Sequence, residues 1–378
     1  MNLLKTTTAG IAISAIGTAA FAGGLDRATF NSALLYQKGT YAELSYANTD
    51  PDVSPSDVGG GAVFNSGWEV ASPFDTAQMG FKTDLNDKLS VALSFSNNPF
   101  GVDIDYAPFV GSVVPAVAGL SSLSATLSAT ALTAMAKYQI TERVSGFAAV
   151  KHQTVSGSAD VSVPLTAEAG FAVDGNVALA SASDMNFILG AAYEIPDIAL
   201  RVAASYESAA SFAPDVLAVN LGGFNTGPGQ INTPEVFLLE FQSGITANTL
   251  LFGSVRHAKW SEAQVYMSST YFNAQLSDFD DSTTYSIGVG RKFSEKFSGS
   301  LTLTHAPSDC ADVSLLAPTC TNNTLSVGGK YSLGNGAAIS GGVSMRKYET
   351  ATSTASTGGI VFGGNTLMTI GMKLSKSF

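Results

Sequence analysis

Six side chains near the outer ends of predicted strands could carry positive charge and bind an anion. They are Lys151, His152, Arg256, Lys259, Arg346 and Lys347, and we favour the first three. A ligand that joins a carboxylate to a long apolar tail needs one or two such groups beside an apolar groove. Charges that line a lumen or face lipopolysaccharide would give the same pattern, so both interpretations stay open from the sequence.

Three long connections between predicted strands are unusually apolar for segments that face water. They are residues 98–125, 158–182 and 211–233. Exposed apolar patches of this size often mark a binding surface, although the same residues could pack on one another as a cap. We predict a substrate groove formed by Phe109, Val113, Val114, Leu165, Phe171, Val173, Val216, Leu217, Leu221 and Phe224.

No arrangement of residues typical of an enzyme occurs in the sequence. There is no G-x-S-x-G motif, and none of the 3 histidines has an evident partner in the sequence. Cys310 and Cys320 lie in one polar stretch, without the spacing of a zinc site, so we predict that they form a disulfide. We therefore predict no catalysis, no metal and no cofactor.

The composition is typical of an exported membrane protein. Residues 1–22 have a positive start at Lys5, a small apolar stretch and the A-x-A end of a signal peptide. Charged residues are only 13%, and 38 of the 378 residues are glycine. No later run of about 18 apolar residues could form a spanning helix. The formal net charge of -11 argues against a nucleic acid partner.

Alternating apolar and polar residues predict fourteen strands that are long enough to cross a bilayer. Short and long connections alternate between them, which is typical of an outer-membrane barrel with short periplasmic turns. We predict an all-β, transmembrane antiparallel β-barrel over residues 39–378. Its strands are predicted at about 39–49, 74–84, 88–97, 126–140, 144–157, 183–195, 198–210, 234–245, 249–260, 282–294, 297–306, 323–333, 337–348 and 365–378.

Several segments resemble the outer-membrane transporters of long-chain fatty acids and hydrocarbons, the FadL family. The hairpin that starts at Thr233-Pro234-Glu235 and ends at Trp260 is similar to that family's central hairpin. Asn31-Ser32-Ala33, followed by a strand and Asp50-Pro51-Asp52-Val53, resembles its N-terminal segment and first loop. The final alternating strand, which ends at Phe378, resembles the signal read by the barrel insertion machinery.

The resemblance implies a barrel plugged by an N-terminal hatch, with lateral release of substrate where the third strand bends inward. Residues 23–38 would form a short hatch, inside the barrel, that includes Asn31, Ser32 and Ala33. Ser32 replaces the proline of the family's motif. Asn97, Asn98 and Pro99 would form the gate, because proline cannot donate to a strand ladder and asparagine can bond stray backbone groups.

The resemblance implies passive uptake of a hydrophobic molecule, such as a long-chain fatty acid, by a monomer surrounded by outer-membrane lipid and lipopolysaccharide. A general diffusion porin and an aromatic hydrocarbon channel remain alternatives. A barrel enzyme would need a histidine with a catalytic partner at the rim, and an adhesive role for the loops stays open.

Overall fold

The protein forms a closed antiparallel β-barrel. The computed structural model describes residues 24–58, 69–106, 122–163, 173–218, 226–269, 273–353 and 360–378. Each long strand pairs with its two neighbours in the sequence, and the first pairs with the last. The fourteen barrel strands are β1 Tyr41–Asp52, β2 Phe74–Asp84, β3 Leu89–Ser96, β4 Ser122–Gln139, β5 Val144–Val163, β6 Val173–Ile195, β7 Leu200–Glu207, β8 Val236–Thr246, β9 Thr249–Ala258, β10 Ser282–Lys292, β11 Phe297–Ala306, β12 Asn322–Gly334, β13 Ala337–Tyr348 and β14 Thr366–Ser377.

The strands alternate between an apolar outer face and a polar inner face, as the sequence predicts. On β11, Leu301 and Leu303 are 44% and 55% exposed, whereas Thr302 between them is 8% exposed. Leucines, valines, isoleucines and phenylalanines continue this exposed belt around the barrel. Such an apolar surface is stable in lipid rather than in water. The fold is therefore that of an outer-membrane β-barrel, as predicted.

Exposed aromatic side chains gather at the end of the barrel where the turns are short. Tyr138, Tyr193, Phe293, Phe297 and Tyr331 all lie next to such turns and are exposed on the outer face. Aromatic rings favour the level of the lipid head groups, so these residues mark one membrane interface. Among the described residues, no helix is long and apolar enough to cross a membrane.

Strands β4, β5 and β6 extend farther from the membrane than the sequence predicts. Residues 158–163 and 173–182 were expected in a long loop, but they lie on β5 and β6, where Val163 opposes Val173. Weakly apolar stretches of alanine, serine and valine pair here across the ladder. Cross-strand pairing, rather than hydrophobic alternation, extends these strands.

The described parts of the opposite loops pack together as an apolar cap. A small sheet forms from Ser211–Phe212, Thr226–Asn232, Val265–Ser269 and Asn273–Gln275. One buried cluster in this region contains Phe100, Phe212, Trp260, Phe279 and Phe362. Cys310 and Cys320 are joined by a disulfide, and Cys320 is buried in the same cluster.

Residues 24–40 lie inside the barrel and fill part of it. A short 3-10 helix, Ser32–Tyr36, places Leu34 and Leu35 against the inner face of the wall. The two leucines share a buried cluster with Met135, Phe147 and Ile188, which lie on β4, β5 and β6. Burial of each leucine contributes roughly 1.5–3 kcal/mol, so this contact holds the N-terminal segment on one side of the lumen.

Candidate functional site

The barrel wall is interrupted where β3 ends. Strand β3 pairs with β2 only as far as Ser96, opposite Gln78. Residues 97–100 then leave the ladder, and Gly101–Asp105 resumes pairing with β4. Pro99 falls in the interruption, where its missing N–H leaves no donor without a partner. We call residues 97–100 the wall break.

Side chains of the wall break bond the backbone groups that β2 would otherwise leave unpaired. The Ala77 N–H donates to Asn97 Oδ1 at 2.6 Å, and the Asn97 N–H donates to the Ala77 carbonyl at 3.1 Å. Asn98 Nδ2 donates to the Asp75 carbonyl at 3.1 Å. Unpaired backbone groups are costly at the edge of a bilayer. The two asparagines therefore satisfy backbone groups of β2 at the interruption.

The N-terminal segment docks on the inner side of the wall break. The backbone N–H groups of Arg27 and Ala28 both donate to the Pro99 carbonyl at 2.9 Å. The Gly101 N–H donates to the Leu25 carbonyl at 2.8 Å. Gly101 also lies close to the backbone of β4. A Cβ at position 101 would be 2.4 Å from the Leu127 carbonyl oxygen, so this position requires glycine.

The predicted hatch residues anchor the segment elsewhere on the wall. Asn31 Nδ2 donates to Glu43 Oε1 at 3.0 Å on β1. The Ser32 hydroxyl donates to Glu240 on β8, across the lumen. Ala33 accepts a bond from Gln37 through its carbonyl. The backbone groups that bond residues 99–101 belong to Leu25, Arg27 and Ala28, and Asn31 lines a small cavity together with Ser96 and Pro99.

The structure brings Lys151 and Arg256 to one cavity and places His152 on the outer face. Lys151 on β5 faces the lumen and forms an ion pair with Glu207. Arg256 on β9 faces the lumen and forms an ion pair with Asp26, 2.7 Å from Nη2 to Oδ2. Both residues line one cavity of about 40 Å³. His152 is exposed on the outer face of β5, because it alternates with the buried Gln153.

Most of the predicted substrate groove falls outside the described residues. Phe109, Val113, Val114, Leu165, Phe171, Leu221 and Phe224 belong to this group. The backbones of Val173 and Leu217 lie on strands, but their side chains are not described. Val216 pairs with Leu179 of β6 at the rim of the cap.

The inner wall changes character on the side away from the N-terminal segment. From β10 to β14, the inward positions are small or hydrogen-bonding. Their buried members include Ser282, Thr284, Ser298, Thr302, Thr304, Thr324, Ser340, Ser344 and Thr369. The wall around Leu34 and Leu35 combines an apolar cluster with buried polar residues such as Thr133, Gln153 and Asn186.

A closed membrane barrel with an internal N-terminal segment and an interrupted third strand is a fold shared with solved outer-membrane transporters and channels. A Pseudomonas aeruginosa FadL homologue has the same fold, with a TM-score of 0.72 and 13% identity over 92% of both chains. The Pseudomonas putida toluene transporter TodX matches with a TM-score of 0.65 and 14% identity, over 96% of this chain and 98% of that one.

The CymD monoaromatic hydrocarbon channel matches with a TM-score of 0.61 and 13% identity, over 90% of this chain and 89% of that one. These structural matches confirm the fold that the resemblance in the sequence implies. No protein-family model matches the chain. No curated protein matches it either.

Proposed function

We propose that this protein passively carries long-chain fatty acids into the bacterial outer membrane and releases them sideways through the wall break. The observation that carries the proposal is the interruption of the wall at residues 97–100, with Leu25 to Ala28 docked on its inner side. The structural neighbours include proteins described as a toluene transporter and a monoaromatic hydrocarbon channel.

The physics of the ligand favours a lateral exit. An apolar chain is most stable in the hydrocarbon of the membrane, and a straight path into the periplasm would expose it to water. The apolar outer belt next to the wall break continues into lipid through Met79 and Leu93. A tail that passes between β2 and the wall break therefore exchanges one apolar environment for another.

We assign capture of the fatty acid to the extracellular loops that carry the predicted groove. The described part of the cap already buries Phe100, Phe212 and Trp260, which supports an apolar route from the loops to the wall break. Lys151 and Arg256 remain candidates for the ligand carboxylate. Either one would have to exchange its present partner, Glu207 or Asp26, for the ligand.

The test replaces two predicted loop aromatics, Phe171 and Phe224, with aspartate. Each buried aromatic contributes roughly 1.5–3 kcal/mol, and the new carboxylates would also repel the ligand. We expect weaker oleate binding by the purified variant in detergent, with normal membrane insertion. Unchanged oleate affinity would refute capture at these loops. The wild-type protein should also restore oleate uptake to cells that lack their own transporter.

A second candidate function is general diffusion of small polar solutes along the hydroxyl-lined wall. The buried serines and threonines from β10 to β14 favour this alternative. A porin would swell liposomes in solutions of a small sugar and give a steady conductance in planar bilayers. We expect neither at the level of a porin, since the N-terminal segment occupies part of the bore and the described loops pack together as a cap.

A further inference from the structure

Four polar side chains lie side by side on the outer face of the barrel, near the strand ends that lead into the long loops. They are Tyr285 on β10, His305 on β11, Asn323 on β12 and Lys347 on β13. Each lies directly opposite the next in the strand register, and all four are exposed. Side chains in such positions are close enough to contact one ligand together. We call these four residues the polar row.

The polar row borders an exposed row of apolar side chains. Residues two positions apart on a strand share one face, and the apolar row lies two positions closer to the short turns on the same four strands. Its members are between 46% and 58% exposed, and they are Ile287, Leu303, Leu325 and Met345. The outer face thus changes from apolar to polar at the same step on each strand, as at the boundary between lipid tails and head groups.

Two members of the polar row can donate to an anion. The ammonium group of Lys347 is exposed and has no partner among the described residues. His305 Nδ1 lies 2.9 Å from Asn323 Oδ1. Because a carboxamide oxygen only accepts, Nδ1 carries the hydrogen of this bond, and Nε2 is left for another partner. When the ring is protonated, Nε2 also donates, so Lys347 and His305 together offer two cationic donors.

The order of these groups along the strands matches a phosphorylated lipid. Acyl chains would cover the apolar row, and a phosphate next to them would reach Lys347 and His305. Cationic side chains at a membrane surface attract anionic head groups in this way. The polar row lies at the long-loop end, which faces the cell surface in outer-membrane barrels. Lipopolysaccharide forms that leaflet, and its lipid A part carries phosphates directly beside the acyl chains.

We propose that the polar row and the apolar row form a binding site for one lipopolysaccharide molecule, with a lipid A phosphate on Lys347 and His305. Asn323 is a positioning residue, because it orients the His305 ring. Strands β14, β1 and β2 lie between β13 and the wall break. The site is therefore separate from the proposed exit and does not depend on the proposed function.

The test measures binding of lipid A that carries both phosphates to the full-length protein in detergent micelles, by native mass spectrometry. Loss of charge-assisted hydrogen bonds in the double variant His305→Gln, Lys347→Gln should weaken binding about tenfold. The matched control is Lys296→Gln, which removes a lysine charge from an exposed position in the short turn at the opposite boundary. It should bind within about twofold of the wild type, and Lys347→Arg should retain binding because it keeps the charge.

Two further ligands identify what the site recognises in the wild-type protein. Lipid A without phosphates and phosphatidylglycerol should both bind about tenfold more weakly than phosphorylated lipid A. Equal binding of lipid A with and without phosphates would reduce the site to its apolar row and overturn the inference. Equal binding of phosphatidylglycerol would overturn the assignment to lipopolysaccharide.

Unchanged binding of phosphorylated lipid A by the double variant would also overturn the inference. The double variant should keep the heat-dependent migration of a folded barrel on gels, which separates loss of a contact from loss of the fold. Weakened binding by Lys296→Gln to the same extent as by the double variant would show a general effect of charge and contradict a defined site.

Discussion

Asn97→Ala should loosen the contact between the wall break and the N-terminal segment. The substitution removes the acceptor that Asn97 Oδ1 offers to the Ala77 N–H at 2.6 Å. This bond is exposed, and a typical hydrogen bond contributes about 0.5–1.5 kcal/mol. Because about 1.4 kcal/mol corresponds to a factor of ten, local opening should become roughly two- to tenfold more frequent.

Hydrogen exchange in detergent micelles measures this opening at three reporter amides. They belong to Arg27, Asn97 and Gly101, which donate across the wall break. Their exchange should accelerate together, while amides in the middle of β11 should not change. Asn323→Ala is the matched control, since Asn323 bonds only the His305 ring on the outer face in the described contacts. Unchanged exchange at all three reporter amides would refute the role given to Asn97.

Two further predictions concern the cap. Replacement of both Cys310 and Cys320 by serine should remove roughly 2–3 kcal/mol of local order by the loop-entropy model, yet leave oleate uptake intact, because the barrel ladder does not include their loop. Peptide mapping that finds both thiols free in the native protein would contradict the disulfide. Burial and the nearby Asp278 and Asp309 raise the pKa of Asp280, so its ionised form destabilises the folded cap. Asp280→Asn should therefore slow exchange in the cap at neutral pH, where Asp280 is ionised, and have no effect at acidic pH, where Asp280 is protonated. An equal effect at both pH values would contradict this assignment.

Much of the barrel could be predicted because the alternation that defines a strand involves residues that are neighbours in the sequence. Alternation along β11, with Leu301 and Leu303 opposite Thr302, identifies a strand and its lipid face from the sequence alone. The outer ends of β5 and β6 could not be identified in this way. Their residues have weak hydrophobic contrast, and only their mutual pairing, such as Val163 with Val173, makes them strands.

The wall break was predictable from residue types, but its partner was not. Two asparagines and a proline at positions 97–99 predict an interruption of the ladder. That Leu25 and Ala28 dock there depends on contacts between residues more than 70 positions apart, as for Arg27 and Asn98. The ion pairs of Lys151 and Arg256 are also long-range contacts that no sequence spacing reveals.

The most direct test of the account locks the N-terminal segment to the wall break. Asp26 and Phe100 lie opposite each other in an isolated bridge, so cysteines at these positions should form a disulfide. The pair is introduced into a variant in which Cys310 and Cys320 are serine. Comparison of the oxidised and reduced forms of one protein then cancels any effect of the substitutions themselves.

The account predicts that the oxidised protein takes up oleate and oleyl alcohol at least about tenfold more slowly than the reduced protein, and that reduction restores both rates. Equal uptake by the oxidised and reduced proteins would contradict lateral release at residues 97–100 and favour a straight path through the barrel.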